Sequence, residues 1–174
     1  LLKIQTATEK APAISLHDDT KIDQELALFE QWFLNSLLNY QLNKDERALL
    51  DSFFATIKSM AKEQPQVMIH ADYHSRNLMI IDQGKLGIID FQDAMLGAIT
   101  YDLVSLLKDC YVRWPESWVI ERALGFKKHL ESAGLLADIA DSQFLKWFDF
   151  MGLQRHIKVL GIFSRLALRD SKRG

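Results

Sequence analysis

His70-Ala71-Asp72-Tyr73-His74-Ser75-Arg76-Asn77, with Asp90-Phe91 downstream, is the stretch on which the reading of this sequence turns. A short β-prone run, Val67-Met68-Ile69, leads into it, and a second, Leu78-Met79-Ile80-Ile81, leads out. Asp82-Gln83-Gly84-Lys85 reads as a turn, and Leu86-Gly87-Ile88-Ile89 as a third strand that closes a hairpin with the second. That layout puts Asp72 and Asn77 in a loop and Asp90 at the end of the returning strand. Three oxygen-bearing side chains are therefore expected at one mouth.

Oxygen donors with few nitrogens favour a hard cation such as Mg²⁺, which keeps some waters and takes phosphate oxygens for its remaining ligands. Phosphoryl transfer needs a carboxylate to accept or orient the attacking hydroxyl, and a metal to neutralise charge on the group in flight. Asp followed five residues on by Asn, then a metal-binding Asp-Phe, is the order of a kinase catalytic loop. His70, Asp72, Asn77 and Asp90 match that order. A lone Asp reads as a turn residue; these three together, around a hairpin, read as a site. His70 and His74 are four apart, a zinc spacing on a helix, but Ala71 stands where a zincin has Glu and the segment is a loop. Asp93 reads either as a further acid near the metal or substrate, or as a turn residue.

On these residues the sequence resembles the aminoglycoside phosphotransferase and choline kinase superfamily. Its members tend to carry His two residues after the catalytic Asp, and His74 stands there. DYHSRNLM (72–79), IDFQDAMLGAITYDLVSLLKDCY (89–111) and LQRHIKVLGIFSRL (153–166) are most similar to the branch of bacterial anomeric kinases acting on N-acetylmuramate and N-acetylglucosamine. The resemblance implies roles by position. Asp72 would be the catalytic base or the residue orienting the acceptor hydroxyl, and Asn77 and Asp90 would bind Mg²⁺ and through it the nucleotide, ATP or GTP. His70 would support the loop, and Asp102 in Tyr101-Asp102-Leu103 would brace it. His74, with help from Arg76, would hydrogen-bond the transferring phosphoryl group.

Two family features are missing. No Gly-x-Gly-x-x-Gly loop occurs, and no strand precedes the first helices to carry a nucleotide-anchoring Lys. Residues 1–174 are therefore read as the C-terminal catalytic and substrate-binding lobe, with the N-terminal nucleotide-binding lobe expected ahead of Leu1. The ends, Leu1 and Arg169-Asp170-Ser171-Lys172-Arg173-Gly174, read as those of a piece of a longer protein, inactive by itself.

A chain of 174 residues, 48% hydrophobic and 25% charged, suits one globular domain. A formal net charge of -2 leaves no basic footprint for nucleic acid. The single cysteine, Cys110, excludes an intrachain disulfide, suggests a reducing compartment and reads as core beside Leu106 and Leu107. No apolar run of bilayer length and no signal-peptide pattern occur, so no membrane partner is expected and the cytoplasm is the default.

The rest of the sequence is helical in pattern. After a loop holding Pro12 and Asp18-Asp19, Ile22, Leu26, Phe29, Phe33 and Leu37 mark an amphipathic helix. Asn43 with Glu46 forms a capping box for a second helix that ends before Pro65. Thr100 is expected to cap a third, carrying Leu103, Leu107 and Cys110 and stopping near Trp114-Pro115. Glu116 to Ser132, ending at Gly134, is a fourth. Ser142 to about Leu168 is the last, its Trp and Phe residues read as core, with Gly152 and Gly161 marking a kink or close packing. Arg113 and Trp114 read as a helix-end Arg and a packed Trp before a sugar pocket. Arg155, His156 and Lys158 read as a solvated basic face before a site for an acidic substituent.

The fold class is α+β, mostly helical: the C-terminal lobe of a protein-kinase-like fold with a small β-hairpin at the active site. The function read is Mg²⁺-assisted, ATP- or GTP-dependent phosphorylation of an amino sugar at its anomeric hydroxyl. Rival readings are an aminoglycoside- or choline-type phosphotransferase, a non-catalytic module on a kinase fold, and a hydrolase using Asp90 and Asp93, which leaves Asn77 without a purpose.

Overall fold

A computed structural model describes residues 1–8 and 14–169. Pro12 and the terminal Asp170–Gly174 lie outside the described residues. Helix α1 (Leu2–Gln5) is one turn. Helix α2 (Asp19–Leu28) begins where the Asp18 carboxylate accepts a hydrogen bond from the backbone N–H of Lys21 at 2.9 Å, satisfying an otherwise orphaned donor. The expected helix does run on to Leu37, but Phe29–Leu37 is wound as a π-helix, which apolar periodicity cannot distinguish from α. The winding changes beside a close approach of the last helix at Gly161. A Cβ on Gly161 would lie 2.4 Å from the carbonyl carbon of Leu28, so no larger residue fits there.

Helix α3 (Lys44–Lys62) carries the capping box: Asn43 Oδ1 accepts from the N–H groups of Asp45 and Glu46, while Glu46 Oε2 accepts from Asn43 N at 2.9 Å. Two small sheets follow. Strand β1 (Gln66–Ile69) pairs antiparallel with β4 (Met95–Ala98), Val67 opposite Gly97. Strands β2 (Leu78–Ile81) and β3 (Lys85–Ile88) form the expected hairpin, with Leu78 opposite Ile88. The partner strand β4 has no counterpart in the sequence reading, because Met95-Leu96-Gly97-Ala98 carries neither β-branched residues nor alternation.

Helix α4 (Tyr101–Leu107) departs from expectation at both ends. Thr100 precedes it but does not cap it: its hydroxyl donates to Gln64 Oε1 at 2.7 Å. The helix stops at Leu107, not near Trp114-Pro115, because Asp109 draws the chain aside by accepting from the N–H groups of Ser75 and Tyr111. Cys110 consequently lies past the helix and is exposed, not core. Helix α5 (Glu116–Ser132) is as expected, and Gly134 follows it with φ +71°, the left-handed turn that closes many helices.

Helix α6 (Asp141–Leu168) is unbroken and packs against α2, its π-helical extension, α3, α4 and α5. Gly152 and Gly161 therefore mark close packing, with Lys108 and Leu28 as neighbours. Phe144, Phe148 and Met151 on α6 are buried with Ile22, Leu26, Ile57, Val104 and Leu130, and this cluster is the core. Burying side chains of this size stabilises by roughly 1.5–3 kcal/mol each before conformational entropy is counted. Phe163 is the exception among the aromatics of α6, exposed and tilted against Tyr111 at 6.1 Å.

Arg155 and Lys158 correct the reading of a solvated basic face. Arg155 is buried and donates to the Ser105 hydroxyl. Lys158 donates to Glu25 Oε1 at 2.7 Å and to the Tyr101 hydroxyl at 3.2 Å. Glu25 also takes Gln154 Nε2 at 2.6 Å and pairs with His17 Nε2 at 3.0 Å. Burial alone would raise the Glu25 pKa, but His17 and Lys158 overcome it and hold it at about 2. Only His156 keeps an outward position, its Nε2 bonded to the Lys108 carbonyl at 3.0 Å.

Candidate active site

Strand β1 delivers His70 into the loop, and the backbone there is unusual. Ala71 has φ +70° and Asp90 φ +67°, conformations that cost non-glycine residues of order 1 kcal/mol or more and persist only where surroundings enforce them. Asp102 supplies the enforcement at Ala71. Its carboxylate, wholly buried, accepts from His70 N at 2.6 Å and from Ala71 N at 3.1 Å. Burial raises the Asp102 pKa to about 6, against the lowering effect of those hydrogen bonds and of nearby His70 and Arg155.

His70 ties the loop to the hairpin. Its Nδ1 accepts from Asp72 N at 3.3 Å, so Nε2 carries the proton and donates to the Ile89 carbonyl at 3.0 Å. Ile89 N in turn donates to the Asn77 carbonyl at 3.1 Å. One imidazole and one backbone bond thus join the loop to the end of β3, one residue before Asp90.

Asp72 and Asn77 are brought together. Ser75–Asn77 is a single 3₁₀ turn, and Asn77 Nδ2 donates to the Asp72 carbonyl at 2.9 Å and to Asp72 Oδ2 at 3.2 Å. The other carboxylate oxygen, Oδ1, pairs with His74 Nε2 at 3.1 Å. Both oxygens are held, which fixes the plane of a carboxylate whose side chain is still 46% exposed. Burial raises its pKa, but the His74 hydrogen bond and the charges of His74, Arg155 and Lys158 outweigh that, leaving it below the usual aspartate value. Asp72 is therefore ionised and reachable at neutral pH.

Two residues that hold this loop escaped the sequence reading. Asp109 accepts from Ser75 N at 2.9 Å, and Tyr111 packs its ring against His74 at 5.5 Å while Arg76 lies 3.8 Å over the Tyr111 ring centroid. Both fall within the stretch 89–111 that carries the resemblance, but no periodicity singles them out, since their contacts to the loop are made by the return of the chain from α4. Asp93 is exposed and makes no hydrogen bond or ion pair among the described residues. Asp90 is exposed, and its Oδ1 accepts from Gln92 Nε2 at 2.8 Å.

The donor set bears on a metal. Among the described residues no group of three or more His, Cys, Asp or Glu is arranged to hold one. Asn77, however, spends its amide N–H groups on Asp72 and leaves its Oδ1 without a hydrogen bond among the described residues, and the second oxygen of Asp90 is likewise open. Two open oxygens of this kind fit a hard cation that takes its other ligands from water and phosphate, and do not fit a soft metal.

A family model for the phosphotransferase enzyme family matches residues 7–136, which include the whole loop and the hairpin. The chain belongs to that family. Curated relatives extend the likeness through α6. An N-acetylmuramate/N-acetylglucosamine kinase of Neisseria meningitidis serogroup B is 38% identical over 172 residues, which is 99% of this chain and 51% of the relative. The kinase of that name from Pseudomonas aeruginosa is 38% identical over 93% of this chain and 48% of its own length, and that of Pseudomonas putida 37% over 99% and 50%. The chain spans about half the length of the curated relatives it matches. No helix among the described residues is long and apolar enough to cross a membrane.

Proposed function

We propose that residues 1–174 form the C-terminal, catalytic and substrate-binding lobe of a kinase-like phosphotransferase, and that the intact protein moves a phosphoryl group from ATP or GTP to the anomeric hydroxyl of N-acetylmuramate or N-acetylglucosamine. The names of the relatives support the acceptor, and their greater length supports a nucleotide-binding lobe on polypeptide outside these residues. The observation that carries the chemistry is the Asp72 carboxylate, ionised, half exposed and held through both oxygens by Asn77 and His74.

In this reading Asp72 accepts or orients the proton of the acceptor hydroxyl, an advantage typically worth 10²–10⁴-fold in rate. Asn77 Oδ1 and the Asp90 carboxylate would hold Mg²⁺, which when bound neutralises charge on the nucleotide phosphates. His74, seated on Asp72, would face the transferring phosphoryl group with help from Arg76, and Asp93, three residues after Asp90, would serve near the metal or substrate. His70 and Asp102 keep the loop in its left-handed turn, so Asp72 needs little reorganisation at the moment of reaction. A cytoplasmic setting, where nucleotide is plentiful, suits this chemistry.

The test is turnover of N-acetylmuramate and N-acetylglucosamine by the intact protein with Mg²⁺ and either nucleotide. Sugar phosphate formation that disappears in Asp72→Asn supports the proposal. Turnover confined to aminoglycosides or choline would move the chain to another branch of the family, and absence of any transfer would make it a binding module.

A further inference from the structure

Beyond the catalytic loop, the segment between α4 and α5 lines an open cleft of about 420 Å³, within the roughly 300–1,000 Å³ usual for small-molecule sites. Leu107, Val112 and Val119 supply apolar lining, and Asp109, Arg113 and Trp114 line it as well. The cavity adjoins the candidate active site through Asp109, the same residue that accepts from Ser75 N at 2.9 Å, three positions after Asp72.

Its charges are not equivalent. Lys108 is committed to Asp149 at 2.7 Å, and His156 Nε2 to the Lys108 carbonyl at 3.0 Å. Both oxygens of Asp109 hold backbone N–H groups. Arg113, by contrast, is exposed and makes no ion pair or hydrogen bond among the described residues, nor does Glu116. Trp114 is 44% exposed despite its size and is backed by Trp118, ring centroids 4.9 Å apart. A rigid, half-open indole beside a free guanidinium suits a ligand with an apolar ring face and a carboxylate. The indole takes the C–H face of a pyranose, and the guanidinium fork takes a carboxylate in two parallel hydrogen bonds.

We infer that this cavity is the acceptor pocket, with Trp114 as the platform for the sugar ring and Arg113 as the residue that selects a sugar bearing an acidic substituent. Glu116 accepts from sugar hydroxyls. The inference rests on the phosphotransferase reading for the direction of transfer, but the pocket stands on its own contacts. It also reverses the weighting that the sequence alone suggested for Arg113 and Trp114, and it moves recognition of the carboxylate away from Arg155 and Lys158, which are already paired within the protein.

The experiment compares N-acetylmuramate, which carries a carboxylate, with N-acetylglucosamine, which does not, using the intact protein and its Arg113→Ala, Arg113→Lys and Trp114→Ala variants. Arg113→Ala is expected to lower the ratio of kcat/KM for the two sugars at least tenfold against the acidic one, with part of the ratio restored by Arg113→Lys. Trp114→Ala is expected to raise KM for both sugars about tenfold. A ratio within twofold of wild type in Arg113→Ala, or an unmoved KM in Trp114→Ala, overturns the inference. Should the wild type phosphorylate neither sugar, the functional proposal falls, and calorimetric titration with N-acetylmuramate decides the pocket separately. Binding weakened tenfold by Arg113→Ala then supports it, and no binding to the wild type overturns it.

Discussion

Glu25 and Asp72 are both carboxylates kept ionised by neighbouring nitrogen groups, in regions of opposite character. Glu25 is buried, and its oxygens are taken by His17, Gln154 and Lys158. It joins α2 to α6 and offers nothing to a ligand. Asp72 is also held through both oxygens, by Asn77 and His74, yet nearly half of its side chain faces solvent. A lowered pKa therefore does not mark a catalytic carboxylate by itself; what sets Asp72 apart from Glu25 is that its fixed, ionised carboxylate is open to a ligand.

The sharpest way to separate the two regions is to remove one carboxylate from each. In the intact protein Asp72→Asn should lower kcat by roughly 10³-fold while leaving thermal stability nearly unchanged, since the side chain is half exposed and the isosteric amide keeps an oxygen that can accept from Asn77. Steady-state kinetics beside a melting curve reads both. Glu25→Ala should do the reverse. It strands Lys158 in a buried position, and denaturant titration should show a loss of about 3–5 kcal/mol.

Asp102 tests the link between the regions, being buried like Glu25 but serving the loop of Asp72. Asp102→Ala leaves the N–H groups of His70 and Ala71 without an acceptor and should cost about 2–4 kcal/mol. The two buried carboxylates also predict opposite pH responses. The Glu25 pKa is depressed to about 2, so its contribution is present above the ordinary value of 4.5 and is lost as pH falls toward 2. The Asp102 pKa is raised to about 6, so its contribution is greatest below 3.8 and is lost as pH rises through 6. Unfolding free energies of Glu25→Gln and Asp102→Asn, compared with wild type across pH 3–7, should therefore diverge in opposite directions; parallel curves would break the comparison. The smallest effect is expected at His74, where His74→Ala frees one oxygen of Asp72 and should lower kcat by about tenfold to a hundredfold. Unchanged turnover would remove His74 from the site.

The two regions also differ in how legible they were. Asp72, Asn77 and Asp90 stand out in the sequence because a loop between short strands compresses them into a few local positions, and the structure joins Asp72 to Asn77 as that spacing suggested. The hairpin and the capping box of Asn43 were readable for the same reason. The Glu25 cluster was not. Two of its three partners, Gln154 and Lys158, lie on α6, more than a hundred positions away, and only the packing of α6 on α2 brings them to it. Arg155 and Lys158 were misread because a lysine or arginine on a helix is usually solvated, and periodicity cannot show a buried carboxylate waiting across the interface. Cys110 was misread because Asp109, by binding the loop, ends α4 at Leu107. The π-helical winding after Leu28 begins beside the backbone approach of Gly161, again a contact without a local signature.

The central claim is that the Asp72–Asn77 pair and Asp90, one residue beyond a backbone bond to Asn77, serve one divalent ion. A crystal structure of the intact protein with Mg²⁺ and a non-hydrolysable nucleotide measures this directly. The account predicts one ion bound by Asn77 Oδ1 and the Asp90 carboxylate at about 2.0–2.1 Å, with Asp72 facing the acceptor side. An ion bound elsewhere, or Asp90 turned away from it into solvent, would contradict it.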